Sequence, residues 1–186
     1  MARNGRGFTL IEALTVLAIS AILLGSMVPS MTHMLHRSRA TAAHNWLIGS
    51  IMFARQTAIS YGSLVTLCPS FDGNQCGGNW HDGTIVFIDR NRNARVDPKE
   101  VIMKRFYFPI KGATITWRSF RNRRYLQLTS MGYTNFQNGN FVYCSADQDP
   151  RYRRQIVINM SGRARTIHDV DKDGIIEDSR GRYLRC

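Results

Sequence analysis

The sequence predicts an α+β protein in which one long N-terminal helix packs on a head of antiparallel β-sheet. Residues 8–28 are apolar apart from one acid, and apolar residues then recur at helical spacing as far as residue 60. Beyond residue 61, short segments rich in β-branched and aromatic residues alternate with turn signals. No helix of useful length separates these segments, which favours an antiparallel sheet over a parallel one.

The first half of the helix has the length and composition of a membrane span. The apolar run corresponds to roughly 30 Å of helix, which matches a hydrocarbon core. Arg3 and Arg6 precede it, and Glu12 is its one charged residue. The positive-inside rule then keeps the N-terminus cytoplasmic and sends the head to the outer side of the membrane. We therefore expect a single-pass membrane helix over 8–29.

The second half of the helix, residues 30–60, is predicted to be amphipathic. One stripe recurs at steps of three and four residues, which places its members on one helical face. We expect this face to pack against the sheet. The stripe consists of Ala43, Leu47, Ile51, Ala54 and Ala58.

Residues 61–186 are predicted to form the head. Dipeptides such as Asp72-Gly73 and Asp82-Gly83 mark turns between its strands. The predicted strands cover 64–67, 84–88, 101–108, 114–117, 125–129, 140–144 and 155–159.

The four cysteines are predicted to form two disulfides in an oxidising compartment. Four cysteines allow three pairings, which sequence does not distinguish. We favour Cys68 with Cys76, which closes a local loop, and Cys144 with Cys186, which secures the chain terminus. Their spacing does not fit a zinc site.

The segment Gly7-Phe8-Thr9-Leu10-Ile11-Glu12 resembles the processing site of the type IV pilin and pseudopilin superfamily. The resemblance implies that prepilin peptidase removes residues 1–7 by cutting after Gly7 and that Phe8 becomes the methylated N-terminus. It also implies that Glu12 pairs with the amine of Phe8 on a neighbouring subunit during assembly. An acid within an apolar span is otherwise unfavourable. The alternative is an ordinary anchor whose Glu12 reaches toward lipid headgroups.

The pattern of the head is similar to that of GspH-type pseudopilins and of FimT- and FimU-like minor pilins. That similarity implies the type IV pilin fold and other pilins or minor pilins as partners through the N-terminal helix. It also implies a single-pass helix in the inner membrane with the head in the periplasm, and then a move to the pilus or cell surface.

Basic charge indicates an anionic partner for the head. The chain has 25 lysines and arginines against 13 acids, a net charge of +12. Gly162-Arg163-Ala164-Arg165 matches a Gly-Arg-x-Arg motif of FimT-like minor pilins, which is implicated in DNA binding during natural transformation. The alternative is that these arginines keep an edge strand soluble. The candidate DNA-binding residues are Gly162, Arg163, Arg165, Arg151, Arg153, Arg154, Arg180 and Arg182.

Two acidic loops resemble calcium loops in spacing, but we predict no metal ligand in either. The loop from Asp89 to Glu100 has Ala94 where a glycine is usual and contains three arginines. The loop that starts at Asp169 has Arg180 where a bidentate acid is needed. Turns stabilised by Asp and Asn side chains are the simpler interpretation. We also predict no cofactor and no enzymatic activity, because no catalytic motif is present.

The sequence thus predicts a type IV pilus minor pilin that binds double-stranded DNA non-specifically for uptake in natural transformation. The alternative is a minor pilin or pseudopilin that primes pilus assembly or serves type II secretion without binding DNA.

Overall fold

The computed structural model describes Gly7, residues 9–178 and residues 180–186, with the side chains of 26–30 excepted. The leader residues 1–6 and Phe8 lie outside the described part of the chain. The chain divides into two compact units, Met1–Ser38 and Arg39–Cys186.

One helix, α1, runs over Leu10–Tyr61 and contributes to both units. It ends where Gly62 adopts a φ of +58°, a left-handed conformation that suits glycine. The N–H of Gly62 donates to the carbonyl of Ile59 at 3.3 Å, and that of Ser63 donates to Ala58 at 3.2 Å. These bonds satisfy carbonyl groups that the last turn of the helix leaves free.

The predicted stripe on the second half of α1 is confirmed, since all five of its residues are buried in the core. Within the described residues, however, no helix is long and apolar enough to qualify as a membrane span. The predicted span over 8–29 includes Phe8 and the side chains of 26–29, which lie outside that description.

The predicted antiparallel β-sheet head is confirmed, and it contains two four-stranded sheets. In the first, the order is β3-β2-β1-β5, and in the second it is β4-β6-β7-β8. The strands divide between two sheets because β5 returns to pair with β1 and does not continue beside β4. The strands are β1 Val65–Pro69, β2 Thr84–Ile88, β3 Ile102–Phe106, β4 Thr114–Ser119, β5 Leu126–Leu128, β6 Gly139–Cys144, β7 Arg154–Ile158 and β8 Ala164–Thr166.

The main core lies where the stripe of α1 meets both sheets. Ile51 from the helix, Val86 from β2, Phe141 from β6 and Ile156 from β7 belong to one cluster. Each such side chain contributes about 1.5–3 kcal/mol when it is fully buried. The helix thereby positions the second sheet, whose outer strand β8 is part of the candidate site.

Two disulfides brace the head. Cys68 pairs with Cys76, and Cys144 pairs with Cys186, which is the pairing favoured from sequence. The second bridge ties the C-terminal residue to β6 across a sequence separation of 42. Closing a loop of that length lowers the conformational entropy of the unfolded chain. The folded head is thereby stabilised by on the order of 4 kcal/mol.

Candidate functional site

The N-terminal motif forms a capping box at the start of α1. The Glu12 carboxylate accepts from both the N–H and the hydroxyl of Thr9, each at 3.4 Å. The N–H of Glu12 in turn donates to the Thr9 hydroxyl oxygen at 3.4 Å. The spacing Thr-x-x-Glu signals such a box in the sequence, although we did not predict it there. Glu12 is therefore held in the first helical turn, where the helix dipole favours an acid.

A tight turn joins β7 to β8 and carries the Gly-Arg-x-Arg motif. The Gly162 N–H donates to the Asn159 carbonyl at 3.0 Å, and the Arg163 N–H donates to Asn159 Oδ1 at 3.0 Å. The Arg163 carbonyl accepts from the Asn159 N–H at 3.2 Å, which closes the hairpin. Gly162 has a φ of +72°, the left-handed conformation that this hairpin requires.

The same turn is packed against a second loop and against α1. A Cβ on Gly162 would lie 2.0 Å from the carbonyl oxygen of Gly132. That oxygen also accepts from Arg55 Nε of α1 at 3.0 Å. Glycine at position 162 therefore has a structural role, which is to let the turn sit directly on the neighbouring backbone.

Arg163 immediately precedes β8, and Arg165 is its middle residue. Ala164 between them packs against the main core, and Thr166 Oγ1 lies 3.1 Å from His44 Nε2 of α1. Because side chains alternate along a strand, the two arginines face away from the helix, and both are exposed. Among the described residues, neither guanidinium makes a hydrogen bond or ion pair. β8 is also the outer strand of its sheet, so this edge is open.

The other predicted arginines stand elsewhere, and most already have partners. Arg151 pairs with Asp149 at 2.6 Å, and Arg182 pairs with Asp178 at 3.0 Å. Arg153 donates to the carbonyl of Leu184 in the C-terminal segment. These side chains are near the start of β7 or in the tail, whereas the motif follows the end of β7. The structure therefore does not gather all eight residues into one surface.

The Asp178 carboxylate pairs with Arg182 in the C-terminal segment. Hydrogen bonds from the backbone N–H groups of Arg180 and Arg182 lower the pKa of Asp178, and the Arg182 side chain lowers it further. The carboxylate therefore stays ionised and keeps its pairing with Arg182 at neutral pH. The exposed Arg180 side chain has no partner among the described residues.

A second basic segment lies at the opposite edge of the same sheet. Arg118 is on β4, and Arg121, Arg123 and Arg124 follow it. Two strands separate β4 from β8, a distance of about 14 Å at the usual strand spacing. The two basic segments therefore form separate surfaces, which the sequence alone did not predict.

Comparison with known proteins agrees with this architecture. The chain matches the family described as Type II transport protein GspH over residues 43–162 and the prokaryotic N-terminal methylation motif over residues 2–28. The chain belongs to the GspH family. As a minor pilin or pseudopilin of a type IV pilus or type II secretion system, this GspH-family chain is a structural protein and not an enzyme. Membership implies prepilin peptidase processing, membrane anchoring and assembly with other pilins.

Two crystal forms of one solved protein show the same fold at low identity. The type IV minor pilin FimU of Pseudomonas aeruginosa is 15% identical, with a TM-score of 0.54 over 73% of this chain and 91% of FimU. A second crystal form of FimU gives 15% and 0.51, over 68% and 90% of the two chains. The minor pseudopilin EpsH of Vibrio cholerae is 11% identical, with a TM-score of 0.46 over 70% and 96%. No curated protein matches the chain.

The two acidic loops of this GspH-family head differ from each other. In the first loop, the Asp89 carboxylate is buried and accepts from Thr66 Oγ1 at 2.6 Å, Gln127 Nε2 at 2.8 Å and the N–H groups of Asn93 and Ala94. The carboxylate is therefore committed to holding the loop on β1 and β5.

The second acidic loop brings three carboxylates together. Oxygens of Asp169, Asp171 and Glu177 lie within 4.8 Å of one another. Burial raises the pKa of Glu177, and the charges of Asp171 and Asp173 raise it further. Glu177 is at position 9 of this loop, a ligand position in calcium loops that we did not include in the sequence-based prediction. Such clusters are common at protein surfaces, and this one assigns no ligand by itself.

Proposed function

We propose that this GspH-family subunit binds double-stranded DNA without sequence preference, through Arg163 and Arg165, and serves DNA uptake in natural transformation. The supporting observation is the open edge of β8. Two exposed guanidinium groups stand there without partners among the described residues, on a chain with a net charge of +12. Gly162 acts by fixing the turn and does not contact the ligand.

The chemistry of arginine suits this task. Each guanidinium presents a planar fork of donors that matches two phosphate oxygens, so it binds a phosphate more specifically than a lysine does. Phosphate contacts carry little sequence information, which agrees with uptake of arbitrary DNA. Arg180 adds to the positive field. The other four candidate arginines contribute through long-range attraction, because carboxylates or carbonyls already hold their side chains; they are Arg151, Arg153, Arg154 and Arg182.

The proposal includes the processing and assembly of the subunit. Cleavage after Gly7 would leave Phe8 as a methylated N-terminus, and residues 8–29 would form the membrane and filament-core half of the helix. Glu12 would exchange its bonds with Thr9 for the amine of Phe8 on a neighbouring subunit. The match to the N-terminal methylation motif over residues 2–28 supports this sequence of events.

The test compares two double variants in DNA binding. Arg163→Gln with Arg165→Gln removes two charges from β8, and Arg118→Gln with Arg121→Gln removes two from the opposite edge. We expect the first to weaken binding of the detergent-solubilised protein to a labelled duplex by roughly 10- to 30-fold at 0.15 M salt, as for two lost phosphate contacts. The second should weaken it much less. Fluorescence anisotropy gives both dissociation constants.

A subunit that only primes assembly gives a different result. In that case, the parent protein binds duplex DNA weakly, and both double variants lose the same small amount because only net charge matters. That outcome would reject the β8 edge as a DNA site.

A further inference from the structure

We propose that an apolar cavity beside the β7–β8 turn is a docking site for a different, acidic pilin-type subunit. The occupant would insert an apolar side chain that is flanked by carboxylates. This inference rests on the described contacts and on family membership, and it does not depend on DNA binding.

The cavity lies between two segments of the head, residues 129–136 and 160–161, and its volume is about 500 Å³. Four large apolar side chains around it are unusually exposed. The exposed fractions are 74% for Met131, 51% for Tyr133, 60% for Phe136 and 57% for Met160. Exposed apolar patches of this kind on soluble domains mark interaction surfaces.

The backbone around the cavity is fixed in advance of binding. The Thr134 N–H donates to the Met160 carbonyl at 3.0 Å, and the Gly132 N–H donates to the Thr129 carbonyl at 2.7 Å. The Asn135 N–H donates to the Gln127 carbonyl of β5 at 3.0 Å. A surface held by the sheet in this way loses little conformational entropy when a partner docks.

Phe136 is displayed at an energetic cost. Its φ is +62°, a left-handed conformation that costs a residue with a side chain about 1–2 kcal/mol. The fold keeps a large aromatic ring in this conformation while leaving it mostly exposed. Strained residues that persist in a native structure cluster at functional positions.

Charge selects the class of occupant. None of the nine residues that line the cavity is charged, so the cavity has no cationic side chain to pair with a phosphate, and it suits an apolar side chain. Arg163 follows the lining residue Ser161 by two positions and adds positive charge at the side of the cavity. Two copies of a chain with a net charge of +12 repel each other, whereas an acidic subunit is attracted.

Such a contact can form in the family's assemblies, because assembly places other pilin subunits beside this one. A contact between heads would complement the contacts that N-terminal helices make in the filament. The cavity therefore indicates binding of one specific neighbouring subunit and not nonspecific hydrophobic association.

The test is site-specific photo-crosslinking in the full chain, expressed in its own bacterium. A photoreactive phenylalanine analogue replaces Phe136, and the same analogue at Tyr107, which is 75% exposed on the segment after β3, serves as the control. We expect an adduct from position 136 but not from 107. Mass spectrometry should identify the captured protein as a different chain with an N-terminal methylation motif. No adduct, an adduct that nuclease removes, or an adduct with a second copy would each overturn the proposal.

A charge comparison at Met131 tests the acidic character of the occupant. Met131→Glu and Met131→Lys both place a charge at a position that is 74% exposed, so both should fold. With the photoreactive group at position 136, we expect Met131→Glu to lower the adduct yield on the order of tenfold more than Met131→Lys. Equal losses would overturn an acidic occupant. DNA binding by the parent protein would stand in either case, so the two proposals fail separately.

Discussion

Gly162 connects the candidate edge to the rest of the head. Two separate features require glycine here, the left-handed φ and the close approach of the Gly132 carbonyl. A side chain would be strained by the first and would clash with the second. The first feature raises the energy of any residue with a Cβ by about 1 kcal/mol, and the second forces the two backbones apart.

We predict that Gly162→Ala destabilises the protein by several kcal/mol, more than the left-handed conformation alone would cost. Gly181→Ala is the matched control, because Gly181 has a φ of +68° and nothing within 4 Å of its missing Cβ. Denaturant unfolding should show a loss of about 1 kcal/mol for the control and a clearly larger loss for Gly162→Ala. Equal losses would show that the contact with Gly132 is unimportant.

At this scale the sequence predicted the chemistry of the motif but not its support. Arg163 and Arg165 were recognisable from four consecutive residues. The dependence of Gly162 on Gly132 and Arg55 was not, because it involves segments 30 or more positions away in the chain. Ion pairs such as Arg151 with Asp149 are equally invisible to composition, although their closeness in sequence offered a hint.

At the scale of the elements, a polar contact between side chains joins β8 to α1. His44 Nε2 lies 3.1 Å from Thr166 Oγ1, and His44 Nδ1 is buried without a partner among the described residues. Burial lowers the pKa of His44 below its ordinary value of 6.5, and the charges of Arg154 and His168 lower it further. The imidazole is therefore neutral in the folded protein at neutral pH.

This gives a pH dependence with a definite sign. Below pH 6.5, the unfolded chain takes up a proton at His44 that the folded chain resists, so the free energy of unfolding falls as the pH decreases toward the folded-state pKa. We expect His44→Gln to remove part of that slope. Denaturant unfolding at several pH values between about 5 and 7.5 measures it. Parallel curves for parent and variant would contradict the prediction.

The regular elements were largely predictable because their patterns are local. The helical stripe and seven strands follow from apolar periodicity, and all of them are present. β8 is absent from the predicted strands because it is only three residues long, although the alternative interpretation of its arginines placed them on an edge strand. The division into two sheets was missed because β1 pairs with β5 across about sixty residues, which local patterns do not encode.

For the whole molecule, the distribution of charge matters more than its sum. The net charge of +12 predicts attraction to polyanions, but it does not say where they bind. The structure separates the basic segments onto opposite edges of one sheet and pairs several arginines internally. The β8 edge places two exposed guanidinium groups, without partners among the described residues, on a hairpin that is fixed by backbone hydrogen bonds.

The salt dependence of duplex binding tests that central claim most directly. The logarithm of the binding constant is measured against the logarithm of salt concentration for the parent protein and for the variant Arg163→Gln with Arg165→Gln. The account predicts that the variant's slope is shallower by about 1.8, because two phosphate contacts are lost at roughly 0.9 each. Identical slopes for the two proteins would show that these arginines do not contact phosphate and would contradict the account.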